Sequence, residues 1–236
     1  MNTLSIVLIG YEGKRVLPAS KAPITAFHVN GGVTWWNDMM LDARVLVYRR
    51  EEIIKVLTHE LIHAFNLDEK HIERKHEEWF NSHFGIRCKS ITLNESFTDA
   101  LAVLINTVVY SRVSNTDVHA NLRREIRHMV KTAATVLNHL GYQKIGNKLK
   151  IPGQVCENTH VTSYYVLKAA VFSDVGNFME LLSSNRMCIN VEKYTAFLRA
   201  AIGHFEQKID LNVIKTEKLK MTCLDIAENY IKLRSI

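Results

Sequence analysis

The sequence predicts an α+β fold that is mostly α-helical: a small N-terminal β-sheet lobe, one central apolar helix and a helical C-terminal lobe. Three observations predict it. Strand-like runs of β-branched and aromatic residues occur only in the first 50 positions, along with two of the three prolines (Pro18 and Pro23). From Glu51 onward the apolar residues recur at helical spacing. Neither a repeat nor a linker interrupts the pattern, so residues 1–236 read as a single domain, with the β-rich lobe at about 1–50 and the helical body at about 51–236.

The elements follow in order. "LSIVLIG" (4–10) and "ARVLVYR" (43–49) read as strands, and "ITAFHVN" (24–30) and "VTWW" (33–36) as weaker ones, with Gly31-Gly32 marking a tight turn. Glu51 and Glu52 sit where acidic groups favour a helix N-terminus, and the apolar run then continues to Phe65. Further helices are expected over about 69–83, from near Asn94 through "ESFTDALAVLINTVVYS", over 117–140 up to Gly141, and at 159–173, 174–184, 191–208 and 222–234. The stretch 141–158, with three glycines and a proline, reads as an irregular loop.

Composition narrows the function classes. With 47% hydrophobic residues, 236 positions fill a core without disulfides. Thirty basic against 24 acidic residues give a net charge of +6, with no long basic block, so no nucleic-acid partner is expected. Cys88, Cys156, Cys188 and Cys223 are far apart and read as reduced thiols of an intracellular protein. No apolar run reaches the roughly 18–20 residues of a membrane span, and the N-terminus lacks a basic region and cleavage site, so a cytoplasmic protein is expected.

The chemistry concentrates in "VLTHELIHAFNLDE" (56–69). His59 and His63 are one helical turn apart and can offer two imidazole nitrogens to one metal ion, while Glu60 on the adjoining face can reach a metal-bound water. The helix is apolar nearly all round and hence buried, so three polar groups there need partners that one divalent cation supplies together. Two separately satisfied core histidines and a separately paired glutamate are the plainer alternative.

A third ligand is expected from "NESFTDALA" (94–102), where Glu95 and Asp99 are again one turn apart. Glu95 can ligate, and Asp99 can accept the free ring N–H of a ligand histidine. Capping of a helix N-terminus is the alternative for both acids. Glu69 stands six residues after His63, where the metzincin pattern has a third histidine, which excludes that class.

"HELIH" (59–63) followed by "NESFTD" (94–99) resembles the gluzincins, the thermolysin-like zinc peptidases. The resemblance covers about 60 residues and implies a zincin-like fold around an active-site helix, with one Zn2+ per chain. It implies that His59, His63 and Glu95 ligate the ion, that Glu60 is general base and acid, and that Asp99 orients a histidine. It also implies a peptide or protein substrate lying along a strand within 43–49. The chain further resembles uncharacterised zinc-peptidase-like proteins of large DNA viruses, a likeness that no single motif carries, and this implies a virus-encoded protein acting in a host cell or virion.

Peptide hydrolysis also needs a hydrogen-bond donor for the oxyanion. "THVTSYYVLKAA" (159–170) offers Tyr165, the preferred candidate, together with Tyr164 and His160, which are one turn apart and can face the site together. A metal-bearing structural or interaction protein that turns over nothing is the alternative function. His71, His76 and His83 read as a solvated helix face, with His71 or His76 a reserve ligand should Glu95 not serve. Oligomeric state is not readable.

Overall fold

The computed structural model describes residues 2–19, 22–37, 42–69, 72–87, 91–151, 153–212 and 216–228. It is an α+β fold in which helices dominate and one small sheet lies at the N-terminal end. Strand β1 (Thr3–Tyr11) is followed by a short helix α1 (Ala26–Val29), then β2 (Gly32–Trp36) and β3 (Asp42–Arg49). The sheet order is β1-β3-β2. β1 runs parallel to β3, Thr3 opposite Asp42 through Leu8 opposite Val47; β2 runs antiparallel, Gly32 opposite Val47 through Trp36 opposite Ala43.

Helix α2 (Ile53–Ala64) lies across β2 and β3 and against α4 (Leu93–Ser114). Its apolar residues serve two cores. Val56 and Ala64 pack with Ala43, Val45 and Val47 of the sheet, while Ile62 belongs to the larger core built by the helices. A helix at such a seam is apolar on both sides, which is why its sequence shows no solvent stripe. The helical body continues with α3 (Arg74–Phe84), α5 (Val118–His139), a π-helical stretch Thr162–Leu167 that runs directly into α6 (Lys168–Ser173), then α7 (Val175–Ser184) and α8 (Val191–Lys208). Asp117 caps α5 by accepting from Ala120 N at 2.6 Å, and Asn190 caps α8 by accepting from Lys193 N at 3.0 Å.

Several expectations need correction. The run 24–30 is not a strand: Ala26–Val29 is helical, and its Thr25 and His28 form a reciprocal cap. Gly31-Gly32 is no turn but a close approach. A Cβ on Gly32 would lie 2.9 Å from Glu60 Cγ and from Leu46 O, so only glycine lets β2 sit against α2. The helix expected from 69 begins at Arg74. Within 141–158, β4 (Gln143–Ile145) and β5 (Lys148–Lys150) form a hairpin around Gly146, whose φ of 58° suits its turn.

Helix is seen only from residue 226 of the expected 222–234 span, and 229–234 lie outside the described residues. Residues 216–225 are instead non-helical, with Leu219 N donating to Arg15 O and Lys218 bridging to Val16. Glu51 and Glu52 do not cap α2 with their side chains. They bind the buried Arg15, whose Nη1 lies 2.6 Å from Glu52 Oε2, and Glu52 also accepts from Thr222 N. Cys156 is disulfide-bonded, so not every cysteine is a thiol, while Cys188 and Cys223 are free; Cys88 lies outside the described residues. No helix among the described residues is long and apolar enough to cross a membrane.

Candidate metal centre

Helices α2 and α4 bring His59, His63 and Glu95 together. His59 Nε2 and His63 Nε2 are 3.1 Å apart, and Glu95 Oε2 lies 3.3 Å from the first and 3.6 Å from the second. The far nitrogen of each ring is already engaged. His59 Nδ1 is 3.0 Å from Asp99 Oδ1, and His63 Nδ1 is 2.6 Å from Asp68 Oδ2. With Nδ1 donating to a carboxylate, each neutral ring turns a bare lone pair toward the other and toward Glu95. Three ligand atoms therefore converge, and a metal ion there would compete with the protons that Asp68, Asp99 and Glu95 favour on the two imidazoles.

Such an arrangement fits a cation. Bonds of about 2.0–2.1 Å in a tetrahedral site put neighbouring donors about 3.3 Å apart, close to the three separations here. Charge points the same way. Among the described residues, the ammonium groups paired with these four acids are Lys55 and Lys168, both on Asp99, so with neutral imidazoles Glu60, Asp68, Glu95 and Asp99 exceed them by two negative charges, the charge of one divalent cation. Asp68 and Asp99 are fully buried, and Lys55 and Lys168 are nearly so. A nitrogen-nitrogen-carboxylate donor set suits several transition-metal dications, zinc among them.

Asp99 is the better held of the two orienting acids. Beside His59 it accepts from Lys55, and Lys168 Nζ lies 2.5 Å from its Oδ2. Burial alone would raise its pKa, but the two ammonium groups and His59 hold it well below the ordinary carboxylate range. Lys168 also donates to Met221 O at 3.1 Å, tying the site to the non-helical segment 216–225.

Glu60 lies on the neighbouring face of α2, where the Thr34 hydroxyl of β2 is 2.7 Å from its Oε2. Burial pushes its pKa up, against the opposing pull of His59, His63 and Thr34. An open cleft runs past these groups, between β2 on one side and Asn94, His160 and Tyr164 on the other.

The donor candidates separate clearly. Tyr164 lines the cleft, with its ring centroid 6.0 Å from that of His59. Burial, reinforced by Glu95, Asp99 and Glu60, drives its pKa well above 10, so it is a neutral phenol. His160 lines the same wall, its Nδ1 2.9 Å from the Thr92 hydroxyl. Tyr165, the preferred candidate from sequence, points away: its hydroxyl donates to Leu219 O at 2.8 Å, and it does not line the cleft. Adjacent residues on a helical turn face different ways, and the one facing the C-terminal segment is Tyr165.

The expected substrate strand also changes. β3, which holds 43–49, is the central strand, with both edges taken; β2 is the edge strand along the cleft. His83 is 2.9 Å from Glu206 and stacks on Trp79, away from the cluster. His76 does not line the cleft, and His71 lies outside the described residues.

Four residues of the site were not anticipated. Asp68 follows His63 by five positions, just beyond the helix end, and an acid so soon after a candidate ligand histidine was an available signal. Thr34 carried none. Lys55 precedes His59 by one turn within an apolar run, which marks it as a buried cation in need of an anion. Lys168 stands in a similar run but is separated from Asp99 by 69 positions.

An uncharacterized protein of Acanthamoeba polyphaga mimivirus is 22% identical to this chain over 199 residues, covering 80% of this chain and 45% of the mimiviral protein. The chain thus spans just under half the length of the curated relative it matches. No family model matches the chain, and no solved structure does.

Proposed function

We propose that the chain is a zinc-dependent peptidase of gluzincin type, with a zincin-like architecture, that holds one zinc ion through His59, His63 and Glu95. The observation that carries this reading is the convergence of three ligand atoms, two imidazole nitrogens and the Glu95 carboxylate, with a second carboxylate, Glu60, beside them in an open cleft. A bound dication supplies Lewis acidity there, polarising a carbonyl and making water acidic near neutral pH.

The chain's own groups do the rest. Asp99 and Asp68 hold the two imidazoles as Nδ1–H tautomers, so that both Nε2 lone pairs face inward. Glu60 takes a proton from the attacking water and returns it to the leaving amine. Its raised pKa suits both halves of that task, because a proton received is neither trapped nor refused. Tyr164, kept protonated by burial and by the surrounding carboxylates, donates to the developing oxyanion from the opposite wall. His160 stands beside it as a second donor. An extended peptide adds to the free edge of β2, with Trp35 and Trp36 flanking its path. The mimiviral relative supports, within the same proposal, a virus-encoded protein acting in a host cell.

Two measurements test this reading. The purified protein should hold about one zinc per chain, and Glu60→Gln should keep the zinc and lose cleavage of a peptide library. Wild-type protein that stays metal-free in excess zinc sinks the proposal. Zinc bound at these residues with no cleavage of any peptide leaves the alternative, a catalytically silent metal protein.

A further inference from the structure

Beside Glu60 the cleft continues into a small recess. Arg15, Gly31, Lys55 and Val56 line it together with His59 and Glu60, whereas His63 and Glu95 line only the open cleft. The recess has room for about one water molecule. A Cβ on Gly31 would lie 2.4 Å from Arg15 Nη2 and 3.0 Å from a methyl of Val56, so the missing side chain at 31 is what lets the guanidinium close one end of the recess.

That end is both rigid and polar. Arg15 is almost fully buried; its Nε donates to Val29 O at 2.7 Å, and its Nη1 lies 2.6 Å from Glu52 Oε2. Lys55 is ion-paired with Asp99. Making space for a bulky group means pulling one of these buried pairs apart, which is strongly unfavourable. The hydrogen bonds that Arg15 makes among the described residues use Nε and Nη1, so Nη2, the atom against Gly31, remains as a donor to the recess. Glu52 and Glu51 already balance the guanidinium charge. The recess therefore suits a neutral acceptor better than a carboxylate.

We propose that this recess reads the side chain on the amine side of the scissile bond and admits only a hydrogen, a methyl or a hydroxymethyl group. The substrates are then peptides cleaved before glycine, alanine or, best of all, serine. The inference rests on the peptidase reading of the cleft, in which Glu60 returns its proton to the leaving amine; the residue that supplies this amine lies beside Glu60 and so over the recess. A serine hydroxyl takes the place of the water and accepts from Arg15 Nη2. A leucine or phenylalanine side chain exceeds the space and would leave that donor buried without a partner.

Selection falls on one side of the bond. The acyl side runs along the open cleft toward Trp35 and Trp36, which do not line the recess, so bulky residues are accepted there. One misplaced methylene in a closed pocket is worth about 10–200-fold in discrimination, and an isobutyl group is larger than hydroxymethyl by two heavy atoms.

Calorimetric binding of a hydroxamate series to the zinc-loaded protein tests this without requiring turnover. The hydroxamate chelates the metal in place of the scissile carbonyl, and the chain continues on the amine side through one variable side chain and an amide. Wild type should bind the hydroxymethyl member at least about tenfold more tightly than the isobutyl member, and the carboxymethyl member no more tightly than the hydroxymethyl one. Val56→Ala, which widens the recess, should narrow the first gap. Isobutyl bound as tightly as hydroxymethyl in wild type, carboxymethyl bound more tightly, or an unchanged gap in folded Val56→Ala overturns the recess and leaves the metal centre standing. Protein that takes up no zinc, or zinc-loaded protein that binds none of the series, overturns both. The expected order without cleavage of any peptide upholds the recess and sinks the peptidase.

Discussion

Asp68→Asn tests the metal centre with the least disturbance elsewhere. Asp68 is fully buried, and its Oδ2 accepts from His63 Nδ1 at 2.6 Å, with Asn94 Nδ2 at the long distance of 3.5 Å. The amide has the same shape and can still accept one hydrogen bond, but it carries no charge. A hydrogen bond from a ring N–H to a carboxylate is worth about 1.5–3 kcal/mol, most of which the neutral amide gives up. Loss of such an orienting partner typically lowers metal affinity by about 10–100-fold, the same size of effect in free energy. Removing one of four carboxylates also leaves the metal-loaded cluster one positive charge in excess, which moves affinity in the same direction.

A zinc titration against a chromophoric chelator reads the change directly and requires no substrate. Zinc affinity should fall by at least about tenfold, while the metal-free protein keeps its fold. Affinity within twofold of wild type would mean that Asp68 does not orient His63, and the argument for converging lone pairs would fail with it.

Other expectations follow from the same geometry. Asp99→Asn should lower metal-free stability by about 3–5 kcal/mol in chemical denaturation, because it strands two buried ammonium groups, Lys55 and Lys168, without a counter-charge; a loss under 1 kcal/mol would contradict the pairing. Tyr164→Phe should reduce kcat by about 10²–10³-fold with zinc content unchanged, whereas Tyr165→Phe should leave kcat alone and cost about 1–3 kcal/mol of stability by orphaning Leu219 O. Protons should compete with zinc. Burial disfavours a charged His63, but Asp68 and Glu95 outweigh it and hold its pKa well above 6.5; His59 is raised too, by Asp99 and Glu95. Zinc affinity should therefore still be climbing above about pH 6.5, where ordinary histidines have finished titrating. In the metal-free protein the sign reverses. The bound proton adds stability that is complete below the unfolded value and is lost as pH rises through the folded one. Melting of metal-free protein against pH should show that decline, and zinc-loaded protein should not.

The parts of this centre that could be read from sequence are those whose partners are close along the chain. His59, Glu60 and His63 share one helix, and Glu95 and Asp99 share another, so helical spacing alone sets each group in relative position. The apolar setting of α2 then made a case for burial, and burial made a case for a shared cation. Periodicity says nothing about how a strand pairs across the sheet. "ARVLVYR" read as the strand beside the substrate because it is next to α2 in sequence, whereas hydrogen bonding on both sides makes it central and gives the cleft to β2. Gly31-Gly32 likewise looked like a turn, since the pressure of Glu60 against the strand appears only when the two elements pack.

Tyr165 failed for a related reason. Tyr164 and Tyr165 are chemically equivalent in sequence, and the choice between them depends on the phase of the turn that carries them. That turn is π-helical, wider than the 3.6-residue spacing assumed, and functional sites often contain such turns. What then selects Tyr164 is the tertiary environment: Leu219 O captures the hydroxyl of Tyr165, while Glu95, Asp99 and Glu60 surround that of Tyr164. The same segment that takes Tyr165, through Met221 O, also receives Lys168, and Lys168 secures Asp99. A stretch that carries no metal ligand and no motif thus decides both which phenol faces the cleft and how firmly the acid behind His59 is held. Ligand spacing can nominate a metal centre. The electrostatic state of that centre is set by residues that meet only when the chain has closed on itself.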